Sequence, residues 1–201
     1  SGGDPAVGAG APVGTFEMSL PEWPPPGTVP VRWYLHEDGS LQTFAPTAAE
    51  SASAYQYDAA KGQETYDVND SFERALPDIE WLPWQAGRQA VWATPPLADD
   101  LVLLGHASAD LWIQSSAGDA DLEVMLSEIR PDGQAVYITS GWLPASRRKL
   151  DPAESTPLKP KQTHLEADAE PLPDGQWELV RVEIYPFAHA FRAGSQIRMS
   201  V

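Results

Sequence analysis

Asp119-Ala-Asp-Leu-Glu-Val-Met-Leu-Ser-Glu-Ile-Arg-Pro-Asp-Gly-Gln134, continued by Val136-Tyr-Ile-Thr-Ser-Gly-Trp-Leu143, decides the fold class. Leu122, Val124 and Leu126 alternate with Glu123, Met125 and Ser127. That period of two belongs to a strand with one buried face. Pro131 presets φ for a turn, and Gly133 accepts the left-handed conformation that closes it. The stretch therefore predicts two strands folded back on each other.

The same pattern recurs on either side. Ala107, Ala109, Leu111 and Ile113 fall on one face of a strand within Asp100–Ser116, opposite Ser108, Asp110, Trp112 and Gln114. Gly105 marks a bulge or bend in it. Between Trp177 and Tyr185, Val180, Val182 and Ile184 alternate with Arg181, Glu183 and Tyr185. Shorter strands are predicted at Val31–Leu35, at Leu41–Phe44 as its hairpin partner, at Val91–Thr94, and from Ile197 onward. Pro24–Gly27 reads as a stiff turn, and Ala54–Asp58 as extended. Lys61–Pro83 reads as irregular, and Ser146–Pro173 as a long polar loop with room for a helical turn. Residues 1–20 read as a mobile arm or linker. Residues 21–201 read as one domain whose last strand breaks off at Val201.

Twenty prolines and fifteen glycines in 201 residues favour short strands over long helices. There is no strand–helix–strand alternation and no repeat of 20–50 residues. The fold expected is all-β, an antiparallel β-sandwich or jelly roll.

Charge narrows the partners. Thirteen basic against 29 acidic side chains give a net −16, which argues against nucleic acid and against anionic lipid. No run reaches the roughly 18 apolar residues that span a bilayer. Cysteine is absent, so disulfides and thiolate metal sites are excluded, and both cytoplasmic and secreted settings are compatible.

Catalytic motifs are missing as well. A hydrolase elbow needs G-x-S-x-G, and Gly105-His-Ala-Ser108 has the wrong spacing for it. His36, His106, His164 and His189 form no H-E-x-x-H pair. His164 is the most interesting, in the long loop beside Lys159, Lys161 and Glu166. Asp119, Asp121 and Glu123 offer hard oxygens that suit calcium, with a solvated strand end as the default. Trp112 lies opposite the apolar face of its strand, so it must pack on a second layer or on a partner. Arg147, Arg148, Lys149, Lys159 and Lys161 hold five of the thirteen cations. With no Gly-rich phosphate cradle beside them, they read as a loop pairing with carboxylates of an adjoining domain.

Several motifs in order resemble the C-terminal domain of the X-Pro dipeptidyl-peptidase and cocaine esterase (CocE/NonD) hydrolase family. They are Val31-Arg-Trp-Tyr-Leu-His-Glu-Asp-Gly-Ser-Leu41, Asp119-Ala-Asp-Leu122, Arg130-Pro-Asp-Gly133, Ser140-Gly-Trp-Leu-Pro-Ala-Ser-Arg-Arg148, Ile184-Tyr-Pro186 and Phe191-Arg-Ala-Gly-Ser-Gln-Ile-Arg-Met-Ser200. The chain departs from the family at Gln162, where a second histidine often precedes the one matching His164. The resemblance implies a galactose-binding-like jelly roll packed on an α/β-hydrolase domain that lies upstream and carries the Ser-His-Asp triad. It implies a non-catalytic accessory role, walling the active site and stabilising the hydrolase. No catalytic residue, cofactor or metal ligand is then expected in this chain. Its domain-interface candidates are Trp112, Trp142, Arg147, Arg148 and His164. An apolar face left without its partner also allows self-association. The alternative reading is a freestanding jelly-roll module that binds carbohydrate or peptide through exposed tryptophan.

Overall fold

The computed structural model describes residues 17–23, 25–47, 52–54, 56 and 89–201. Ala54–Asp58 falls largely outside them, and Lys61–Pro83, with its aromatic residues, entirely so. Among the described residues eight strands form: β1 (Tyr34–Leu35), β2 (Leu41–Gln42), β3 (Val91–Ala93), β4 (Leu101–Ile113), β5 (Asp121–Ile129), β6 (Ala135–Pro144), β7 (Glu178–Phe191) and β8 (Gln196–Ser200). The only helical pieces among the described residues are single 3-10 turns at Ala145–Arg147 and Glu166–Asp168. This is the all-β sandwich class that the alternation and turn density predict.

The strands join as β1–β2, as β3–β8–β5–β6, and as β4–β7. The expected first hairpin is present but short, Tyr34 facing Gln42 and Leu35 facing Leu41. The Pro131 turn closes as read: Gly133 has φ 84° and its N–H bonds the Arg130 carbonyl at 2.8 Å. Gly105, read as a bulge or bend, sits inside β4 at φ 101°, a conformation that favours glycine.

The described chain divides into two compact units. One takes the described residues up to Leu103 with Leu126–Ile138 and His189–Ser200. Its core holds Trp92, Val136, Phe191, Ile197 and Met199. β3 pairs antiparallel with β8, Trp92 facing Met199, and the Trp92 indole N–H donates to the His36 carbonyl at 3.1 Å.

Here β5 departs from simple alternation. Ser127 and Glu128 are both buried, where the pattern places Ser127 outward. β5 runs between β8 and β6, and partners from two other strands satisfy both polar side chains. Arg198 donates to Ser127 Oγ at 2.9 Å, and His189 Nε2 meets Glu128 Oε2 at 2.9 Å. A buried polar group is tolerable only when bonded in this way. His189, read as near a turn, is a buried residue of β7 with its ring edge-on to Phe191.

The other unit takes Leu104–Met125, Thr139–Ala188 and Val201. Ala109, Leu111, Leu122, Val124, Leu143, Val180, Val182 and Ile184 are buried, the inward faces read from the alternation. Each such Leu, Ile or Val contributes roughly 1.5–3 kcal/mol before entropy is subtracted. Gly141 of β6 lies so close to β7 that a Cβ there would overlap the Glu183 carbonyl oxygen.

Candidate functional site

All five interface candidates fall in the second unit: Trp112 on the outward face of β4, Trp142 on β6, and Arg147, Arg148 and His164 on the strap of residues 145–173. Alternation turns His106, Ser108, Asp110 and Trp112 outward on β4, and Leu179, Arg181, Glu183 and Tyr185 outward on β7. Two polar contacts tie the strands. Arg181 Nε bonds Asp110 Oδ1 at 2.7 Å, and His106 Nδ1 stands 3.5 Å from Glu183 Oε1. The pairings run in opposite sequence directions, so the strands are antiparallel. The strap crosses this face: the Pro157 carbonyl accepts from both Ser108 Oγ and Arg181 Nη2, and Gln162 Nε2 donates to the Arg181 carbonyl at 2.7 Å.

The two tryptophans are not brought together. Trp112 stands near the C-terminal end of β4, 66% exposed, beyond the Asp110–Arg181 pair. Trp142 projects from β6, 53% exposed, with its ring 5.6 Å from that of Tyr185. From His106 to Trp112 the strand spans about 20 Å at roughly 3.3 Å per residue. One end of the face thus carries a joined pair of exposed aromatic rings, and the other carries Trp112. Tyr185 belongs with the candidates. The signal for it was its outward position on the most regular alternating strand, but its contact with Trp142 joins two strands that the long strap separates in the chain.

The two arginines are engaged by the strap itself and by the start of β7. Arg147 Nη1 donates to the Leu165 carbonyl at 3.0 Å. Arg148 is largely buried; it donates to the Glu170 and Ala145 carbonyls and meets the carboxylates of Glu170 and Glu178 at 3.6 and 3.4 Å. Lys149 bonds Asp168 at 2.5 Å, an exchange that raises the lysine pKa and lowers that of Asp168. Three of the five cations therefore help to hold the loop in place.

His164 is the only non-glycine residue with positive φ among the described residues, at 53°. Histidine enters that region more readily than most residues. It is exposed and held from both sides, since Thr163 N–H donates to the Lys149 carbonyl at 3.0 Å and Arg147 bonds the Leu165 carbonyl. The strap thus pins the backbone on either side of this exposed imidazole.

Asp119 anchors the start of the strap. It accepts from the Ser146 N–H and hydroxyl and from the Ala120 N–H. Burial pushes its carboxyl pKa up, but these bonds outweigh it and hold the group below the ordinary aspartate value. Asp119 is thus a loop anchor, where the sequence had placed it beside Asp121 and Glu123 on one strand face. Asp119→Ala is expected to cost about 1–3 kcal/mol, the worth of hydrogen bonds to a charged group. A lowered urea midpoint with faster amide exchange over residues 145–170 would check it. Among the described residues no group of three or more His, Asp or Glu side chains could hold a metal ion.

Comparison with known proteins follows this geometry. Residues 8–201 match the family model described as the X-Pro dipeptidyl-peptidase C-terminal non-catalytic domain. A Mycobacterium bovis protein named a presumed serine esterase is 29% identical over 213 residues, covering 100% of this chain and 33% of that protein. The cocaine esterase of a Rhodococcus species is 27% identical over 157 residues, covering 66% of this chain and 26% of the esterase. An aminopeptidase structure from a marine-sediment thaumarchaeon superposes with TM-score 0.71 at 23% identity, covering 90% of this chain and 30% of that one. The chain spans about a third of the length of the mycobacterial relatives it matches.

Proposed function

Since this chain belongs to the family of X-Pro dipeptidyl-peptidase C-terminal non-catalytic domains, we propose that it serves a serine hydrolase as an accessory domain. It docks on the α/β-hydrolase part of the same polypeptide, steadies it and walls one side of its active site. In this reading Trp112, Trp142 and His164 meet the hydrolase part. Arg147 and Arg148 act by holding the strap that presents His164. The carrying observation is coverage: this chain aligns end to end with one third of a presumed esterase. Exposed tryptophan agrees with it, because large apolar side chains left in water mark a surface that meets something.

Labelling the native polypeptide with a fluorophosphonate tests the reading. The polypeptide is expected to be about three times 201 residues long. The label is expected on a serine outside residues 1–201, as no nucleophile elbow lies within them. Deleting the domain is expected to lower kcat/KM by ten-fold or more. A labelled serine within 1–201, or a native polypeptide of 201 residues, would overturn the proposal.

A further inference from the structure

The two ends of the β4–β7 face differ in chemistry, and the difference names an occupant for one of them. At the Tyr185 end, two aromatic rings meet at 59° while each remains about half exposed. Two residues back along the same face of β7 stands Glu183, partly exposed, its carboxylate 3.5 Å from His106. The close approach at Gly141 holds this group together: Gly141 presses on the Glu183 carbonyl, and Thr139 Oγ1 donates to the Tyr185 carbonyl at 3.2 Å. Aromatic faces beside a carboxylate suit a guanidinium, which stacks on the rings and pairs with the acid at once. A lysine head, compact and strongly hydrated, would use the carboxylate but lose the stack. A neutral apolar partner would bury the rings yet strand the carboxylate.

Resting on the accessory-domain reading, we propose that Trp142, Tyr185 and Glu183 form the seat for an arginine on the hydrolase part of the polypeptide. Tryptophan, tyrosine and arginine are the residues that anchor protein contacts, and relatives carry about two thirds of their length outside this segment.

Hydroxyl-radical footprinting of the complete polypeptide tests this, with the urea-unfolded polypeptide as the reference for each residue. Trp142 and Tyr185 are expected to oxidise at least ten-fold more slowly in the folded polypeptide. Glu183→Gln, nearly isosteric, is expected to raise their oxidation several-fold without changing that of buried Trp92. Trp142 and Tyr185 oxidising near their unfolded rates while Trp112 is protected would overturn the seat and leave the accessory-domain reading standing. Fast oxidation of all three would overturn both. Protection that Glu183→Gln leaves untouched would overturn the arginine and reduce the site to an apolar contact.

Discussion

Gly141→Ala is expected to leave the protein unable to hold its second unit folded. A Cβ at this position would overlap the Glu183 carbonyl oxygen and lie 2.7 Å from its carbon and 3.1 Å from Ile184 Cα. All three obstacles are backbone atoms, so no side chain can rotate away to make room. Overpacking a core usually costs about 1–3 kcal/mol, because rotamers absorb part of the strain. Here the relief must come from separating β6 from β7, which also pulls apart the Trp142–Tyr185 contact. A cost of about 4 kcal/mol or more follows, a large share of the roughly 5–15 kcal/mol that holds a native domain. Gly133→Ala supplies the contrast. Nothing lies within 4 Å of its Cβ position, and only its φ of 84° opposes a side chain. That substitution is expected to cost about 1–2 kcal/mol. Urea unfolding followed by circular dichroism separates the two. Equal midpoints for the two variants would refute the steric account.

Glu128→Ala is expected to cost about 3–5 kcal/mol at neutral pH, the usual result of removing one partner from a buried pair. Glu128 and His189 are 3% and 4% exposed, and the Ser195 hydroxyl also bonds the carboxylate. Burial pushes the Glu128 pKa up. The bonds from His189 and Ser195, with the charge on His189, together outweigh it and hold the group below the ordinary glutamate value. The pH dependence follows from that direction. An unfolded glutamate ionises near about 4.3, so on acidification the unfolded chain takes up the proton first. The stabilisation is complete above that value and is lost as pH falls through the lower, folded one. Glu128→Gln keeps the shape and an acceptor for His189, so it should cost less than Glu128→Ala and remove this share of the acid limb. Stability measured from pH 7 down to pH 3 would show a shallower slope for Glu128→Gln. A slope equal to the wild type would assign the acid loss to other carboxylates, with Asp100 and Asp119 first in line, as both are held below their ordinary values.

The sequence was legible where contacts are local. The hairpin across Pro131–Gly133 and the inward faces of β4 and β7 need only neighbouring residues to declare themselves. Period two states which face is buried, but it does not name the strand that covers the other face. Ser127 and Glu128 show the limit. Their burial depends on Arg198 and His189, roughly sixty to seventy residues further on, and nothing near Ser127 announces it. Trp142 could be named an interface candidate from its own motif, but Tyr185, 43 positions later, only the fold could bring to it. The arginines read as reaching outward because five cations sat close together. The groups that engage them are Glu170 and three carbonyls on the same strap and Glu178 at the start of β7, brought together by chain geometry that composition does not encode.

The place of β8 governs how this domain is made on the ribosome. β3 and β5 have no pairing of their own; β8 lies between them and joins them. It is synthesised about seventy residues after β5. At roughly 5–20 residues per second, a nascent chain carries an open β5 edge for several seconds before its neighbour emerges. An unpaired edge beside apolar side chains is a template for the wrong strand. The β5–β6 hairpin can close early, but the four-stranded sheet can only finish after Ser200 leaves the exit tunnel. Translation stalled before that point should leave a chain that chaperones hold and proteases cut, whereas release after it should give resistance in a single step.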